Sequence, residues 1–189
     1  MWRFMKIDEI NEKKNNHKFG VLTALVVSTA FLGLLAWGVL KKNPITGLSG
    51  ATMVNRPAPD FTLKTFAGPT ISMRALRGKP VVLNFWASWC PPCRIEASLL
   101  EKAWRVYKKQ GVAFIGVDLQ DREEDALRFI REFDITYPNA PDPTGEVSIS
   151  YGVSGLPVTF FVSREGQILR RWVGAIEKEV LVRSIKEIM

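Results

Sequence analysis

An α/β fold, a mixed sheet covered by helices, follows from three features of this chain. Strand-like apolar runs alternate with helix-patterned stretches from residue 81 onward. A hairpin pattern comes late, over residues 158–173. The only two cysteines stand three apart, in Trp89-Cys90-Pro91-Pro92-Cys93, where an apolar strand gives way to a helix. Alternation of this kind predicts a sheet with helices packed on it.

In chain order, Pro57-Ala58-Pro59 opens the domain, and short segments around Phe61-Leu63 and Thr70-Ser72 predict a hairpin. Leu76-Arg77-Gly78-Lys79-Pro80 is a turn before the first long strand, Val81 to Ala87. From Arg94 to Gln110, Ile95, Leu99, Ala103, Val106 and Tyr107 recur at helical spacing, and Gly111 supplies a stop. Val112 to Leu119 predicts a second strand. Glu123 to Phe133 predicts a helix, acidic in its first turn and opened by Asp121 as its cap. Three prolines between Tyr137 and Gly145 predict loop, followed by a short helix to Tyr151. Val158–Ser163 and Gln167–Val173 flank Arg164-Glu165-Gly166 as a hairpin, and Glu177–Met189 closes the chain as a helix.

The 189 residues, 47% hydrophobic and of mixed charge, suit one globular domain once an apolar run near the amino terminus is set aside. The net charge of +7 does not point to nucleic acid. Residues 1–42 carry seven Lys/Arg against three Asp/Glu, and the remaining surplus of +3 is scattered with no basic stripe.

Gly20 to Leu40 is 21 residues without a charge. At 1.5 Å per helical residue it matches a hydrocarbon core of about 30 Å. A cleaved signal peptide would have an apolar region of only about 7–15 residues with a small-residue cleavage site close behind. The expected organisation is therefore a tail at 1–19, a transmembrane anchor at 20–40, a linker at 41–55 and a redox domain at 56–189. Five flanking Lys/Arg precede the run and three follow it within a comparable distance. This bias places the amino terminus in the cytoplasm and the domain on the exported side of the cell membrane, where a dithiol is readily oxidised.

Two thiols three apart at a strand-to-helix junction open and close a disulfide with little backbone movement, the arrangement of a redox dithiol. A zinc site needs about four ligands, yet there is no second cysteine pair, and His17, the only histidine, precedes the apolar run. A purely structural bridge would close too short a loop to restrict the unfolded chain much. No metal set and no cofactor is read from the chain. Covalent haem attachment is not expected, since Arg94 follows Cys93 where a histidine would be needed.

The order of elements, together with Trp89-Cys90-Pro91-Pro92-Cys93, resembles the thioredoxin fold. More narrowly the chain is similar to the membrane-anchored TlpA/ResA/CcmG (DsbE) group of thiol–disulfide oxidoreductases. The resemblance rests on Pro57-Ala58-Pro59-Asp60-Phe61, on Asn84 to Cys93, on Glu96, and on Tyr151-Gly152-Val153-Ser154-Gly155-Leu156-Pro157-Val158-Thr159, and covers about residues 57–176. It implies that Cys90, at a helix amino terminus, is the nucleophile and that the more enclosed Cys93 resolves the mixed disulfide. Glu96, one helical turn after Cys93, would carry the proton of the buried thiol with a raised pKa. Pro157 would be cis, exposing the Leu156 backbone to an extended client segment. Trp89 forms an apolar rim and Pro91 stiffens the loop beside it, whereas Trp86 is core.

Departures from cytosolic thioredoxin matter as well. Asn84 stands where that family has a buried aspartate, and Phe114 where it has a buried lysine, which leaves Glu96 to handle protons. A peroxiredoxin-like enzyme is the nearest rival, but it needs a threonine where this chain has Ala87. A copper-handling assembly protein would use a histidine, and the domain has none. The implied activity is reduction of disulfides in exported proteins, such as apocytochrome c during cytochrome c maturation, with electrons from a membrane thiol donor.

Overall fold

The computed structural model describes residues 25–33 and 53–189. The predicted tail and most of the predicted linker lie outside the described residues. Of the predicted span only 25–33 lies inside: it is helical, with Leu25, Val26, Val27, Phe31 and Leu32 exposed. Among the described residues no helix is long and apolar enough to cross a membrane.

The folded domain opens with an antiparallel hairpin of β1 (Thr62–Lys64) and β2 (Thr70–Ser72). Its main sheet contains β3 (Val81–Trp86), β4 (Ala113–Leu119), β5 (Asn139–Asp142), β6 (Val158–Val162) and β7 (Ile168–Val173), in the order β5-β4-β3-β6-β7. The β3–β4 and β4–β5 pairs are parallel, and the β3–β6 and β6–β7 pairs antiparallel. Helices α1 (Pro91–Tyr107), α2 (Glu123–Glu132), α3 (Glu146–Ser150) and α4 (Lys178–Ile188) complete it. This is the thioredoxin-like α/β architecture, a mixed sheet with helices on its faces.

Strand β3 is central and wholly buried, so both of its faces carry a core. Side chains alternate across a strand. Val81, Leu83 and Phe85 join Phe160, Tyr151 and Phe61 on one face. Val82 and Trp86 join Leu100, Phe129, Phe161 and Leu181 on the other. Asn84 shares that second face, which aims its polar side chain at α1 and fixes where the site must lie.

Two predicted boundaries are corrected. Helix α1 begins at Pro91 rather than Arg94, because prolines suit the first helical positions, and its regular turns end at Tyr107. Lys108–Gln110 tighten into a 3-10 turn, closed by Gly111 at φ 86°, a conformation that favours glycine. The stretch 137–145, expected to be loop, contains β5. That strand pairs only with β4, and an edge strand tolerates Pro141.

Glu101 ties α1 to the approach to β5. It is 4% exposed and accepts from the Thr136 N–H at 2.8 Å and the Thr136 hydroxyl at 2.6 Å. Glu101→Ala removes both bonds together with the Arg105 ion pair, and we expect a loss of about 1–2 kcal/mol in urea unfolding. A loss under about 0.5 kcal/mol, the range of an ordinary surface substitution, would contradict this reading.

Candidate active site

Strand β3 ends at Trp86, and the chain turns through Ala87–Trp89, with the Cys90 N–H donating to the Ala87 carbonyl at 3.2 Å. Cys90 is the N-cap of α1, in extended conformation at φ −89° and ψ 106°. Pro91 and Pro92 occupy the first helical positions and have no N–H to offer. The first N–H of the helix is therefore that of Cys93, and it is shared between the Cys90 carbonyl at 3.1 Å and Cys90 Sγ at 3.3 Å. A sulfur at this place, facing a backbone donor and the positive end of the helix dipole, is stabilised as a thiolate.

The two sulfurs form a disulfide, with Cα atoms 5.3 Å apart. Both cysteines are buried, at 3% and 2% exposure, so accessibility barely separates them. Position does. Cys90 lines an open groove of about 430 Å³ together with Trp89, Pro91, Leu119, Gln120 and Leu156, and Cys93 does not. Trp89 is 58% exposed at its rim, while Trp86 is buried, stacked on Phe129 at 4.4 Å and donating to Asn139 Oδ1 at 2.8 Å. Across the groove the Leu156–Pro157 bond is cis. No hydrogen bond among the described residues engages the Leu156 N–H or C=O.

One turn beyond Cys93, Glu96 is 2% exposed. Its Oε1 accepts from Asn84 Nδ2 and its Oε2 from the Ile176 N–H, each at 2.8 Å. Asn84 Nδ2 also donates to Thr159 Oγ1 at 3.0 Å. Burial pushes the Glu96 carboxyl up to about 7, against the pull of these two donors toward the ionised form. Phe114 packs against Trp104 and Tyr137 on the same side of the sheet, so this side carries Asn84 and Glu96 with no lysine at position 114.

The expected cap role of Asp121 is corrected. Asp121 does not cap α2; the N-cap is Arg122, without a side-chain bond. Asp121 instead accepts from the Ser88 N–H at 2.5 Å and the Ser88 hydroxyl at 2.8 Å. Beside it Asp118 is 3% exposed, with Oδ1 lacking any hydrogen-bond partner among the described residues. Burial first, and then the neighbouring Asp121 carboxyl and its charge, raise the Asp118 carboxyl to about 8. The sequence held half the signal, since Asp118 interrupts an apolar strand. Its neighbours were not legible there.

Comparison with known proteins agrees with this geometry. Residues 54–171 match the AhpC/TSA family. The chain is 31% identical over 176 residues to the thiol-disulfide oxidoreductase ResA of Bacillus cereus, covering 93% of this chain and 98% of that one. The chain belongs to the AhpC/TSA family, among its ResA-type thiol–disulfide oxidoreductases. A crystal structure of a putative thiol:disulfide interchange protein DsbE from Chlorobium tepidum superposes with a TM-score of 0.65 at 34% identity, over 69% of this chain and 94% of that one. A secreted Mycobacterium tuberculosis disulfide oxidoreductase gives 0.62 at 25%, over 67% and 95%. Like these oxidoreductases, the chain is a protein thiol–disulfide oxidoreductase. The peroxidase alternative gains nothing, because Ala87 has no hydroxyl to place beside Cys90.

Proposed function

We propose that this oxidoreductase reduces disulfides of exported proteins, with apocytochrome c as the client, from a membrane-tethered position. The single observation that carries the chemistry is the Cys93 N–H directed at Cys90 Sγ. In the reduced enzyme the Cys90 thiolate attacks one client sulfur. A Cys90–client S–S bond forms, the client's S–S bond breaks, and its other sulfur leaves as a thiolate that takes a proton. Cys93 then gives its proton to Glu96 and attacks Cys90 Sγ. The enzyme disulfide forms and the second client thiolate leaves, so two electrons have passed to the client. A membrane thiol donor returns them.

The client lies as an extended segment against Leu156, whose free N–H and C=O supply strand-like pairing, while Pro157 sets that backbone and Trp89 and Pro91 form the rim. Trp89→Ala is expected to raise the KM for a peptide disulfide by about three- to tenfold with kcat little changed. Steady-state kinetics read this directly, and an unchanged KM would remove Trp89 from docking.

Tethering rests on the uncharged run 20–40 and the basic bias before it. The match to the Bacillus cereus protein covers 176 residues, whereas residues 53–189 number only 137, so the likeness reaches well into the amino-terminal segment. The amino terminus is assigned to the cytoplasm and the domain to the exported side. A Cys93→Ser variant expressed in cells should accumulate mixed disulfides through Cys90, and mass spectrometry names the proteins held. Recovery of apocytochrome c supports the assignment; recovery only of other exported proteins would refute the cytochrome client.

A further inference from the structure

The turn after β4 holds the loop that carries the nucleophile. Leu119 ends the strand, Gln120 adopts φ 53°, a left-handed conformation that side-chain-bearing residues seldom take, and Asp121 is thereby swung back toward the β3–α1 loop. One carboxylate then takes both donors of Ser88, across 33 residues of sequence. Ser88 is two residues before Cys90, and the Cys90 N–H is itself bound to Ala87. The turn preceding the sulfur is therefore fixed at both of its ends.

This clamp sets the half-buried Asp121 beside the buried Asp118, and two neighbouring carboxyls are held together at least cost when one keeps its proton. Asp118 is that one. Opposite it stand Trp86 on β3 and Pro141 on β5, neither of which titrates near neutrality, and the charge acting on it is that of Asp121. We propose that Asp121 is a positioning residue for Cys90, and that Asp118, by holding a proton against it, keeps the Ser88 clamp closed. Loss of that proton sets two carboxylates side by side and loosens the loop. The site thus has two separate acid groups, Glu96 on the Cys93 side and the Asp118–Asp121 pair on the Cys90 side.

The inference rests on Cys90 being the attacking thiol. The test uses the full chain in detergent, reduced, against a synthetic disulfide-bonded peptide between pH 6 and 9.5. Thiolate content is read separately by ultraviolet absorbance. Removing a carboxylate near Cys90 would, by charge alone, favour the thiolate and speed the reaction near neutrality. Positioning predicts the opposite: Asp121→Ala should lower the second-order rate by about tenfold. In the wild type the rate should fall below the thiolate fraction above about pH 8, and Asp118→Asn, whose amide always donates, should abolish that departure. If Asp121→Ala does not fold, Ser88→Ala, which removes one of the two bonds, should slow the rate about threefold. An Asp121→Ala or Ser88→Ala rate equal to the wild type, or an Asp118→Asn profile that keeps the alkaline departure, would overturn the proposal. Alkylation and mass spectrometry of the same samples identify the attacking thiol, so an idle carboxyl pair and a wrong nucleophile give different results.

Discussion

Glu96→Gln is expected to make the oxidised protein more stable than the wild type by about 3 kcal/mol at pH 8, and nearly equal to it at pH 4. The folded Glu96 carboxyl titrates at about 7 and its unfolded counterpart at 4.5. Between those values the folded state binds more protons than the unfolded one, so wild-type stability falls as pH rises from 4.5 and levels off above 7. A shift of this size corresponds to about 3 kcal/mol. Glutamine resembles the protonated acid and does not titrate, so the variant lacks the decline. It also fits the site: its oxygen can accept from the Ile176 N–H, and Asn84 can turn its own oxygen toward the new amide and the Thr159 hydroxyl. Urea unfolding of the disulfide form at the two pH values checks this without interference from thiol titration. The same variant should flatten the pH dependence of Cys93 reactivity. A stability curve parallel to the wild type would show that Glu96 does not carry the raised pKa on which its role depends.

Gly116→Ala is expected to destabilise the domain by about 3–5 kcal/mol, through overpacking and a broken buried hydrogen bond. Gly116 lies in β4 opposite Asn84 on β3 and Asn139 on β5. A Cβ there would overlap Asn139 Oδ1 and stand 2.8 Å from Trp86 Nε1. Those two atoms form the bond that holds the Trp86 indole against Phe129. Both are buried, so neither side chain can swing into solvent to make room. Melting should fall by about 10 °C or more for a domain of this size, and near-ultraviolet circular dichroism should lose part of its tryptophan signal. A melting point within about 2 °C of the wild type would mean that the space at Gly116 is not required.

Much of this architecture was legible because it is local. The apolar run of β3, the helical spacing after Cys93 and the stop at Gly111 are each carried by neighbouring residues. The site was legible where its parts share one short segment: Cys90, Cys93 and Glu96 lie within two turns, and the Tyr151–Thr159 segment brings Leu156 and Pro157. Strand β5 was not, since four residues including Pro141 carry no periodicity and their support comes from distant residues, β4 beside them and the Phe66 N–H and Trp86 indole that donate to Asn139. Asp121 has the composition and place of a helix cap, and only a contact 33 residues upstream gives it another partner. The groove that sets Cys90 apart from Cys93 depends likewise on Leu156 and Gln120, which join its lining from distant parts of the chain.

The claim that Cys90 attacks and Cys93 resolves is tested most directly with the two single-serine variants, Cys93→Ser and Cys90→Ser. Each is reduced, mixed at pH 7 with a disulfide-bonded peptide, quenched with acid and analysed by mass spectrometry. The account predicts a stable peptide adduct on Cys90 in Cys93→Ser and almost none on Cys93 in Cys90→Ser. An adduct that accumulates on Cys93 while Cys90 stays free would contradict it.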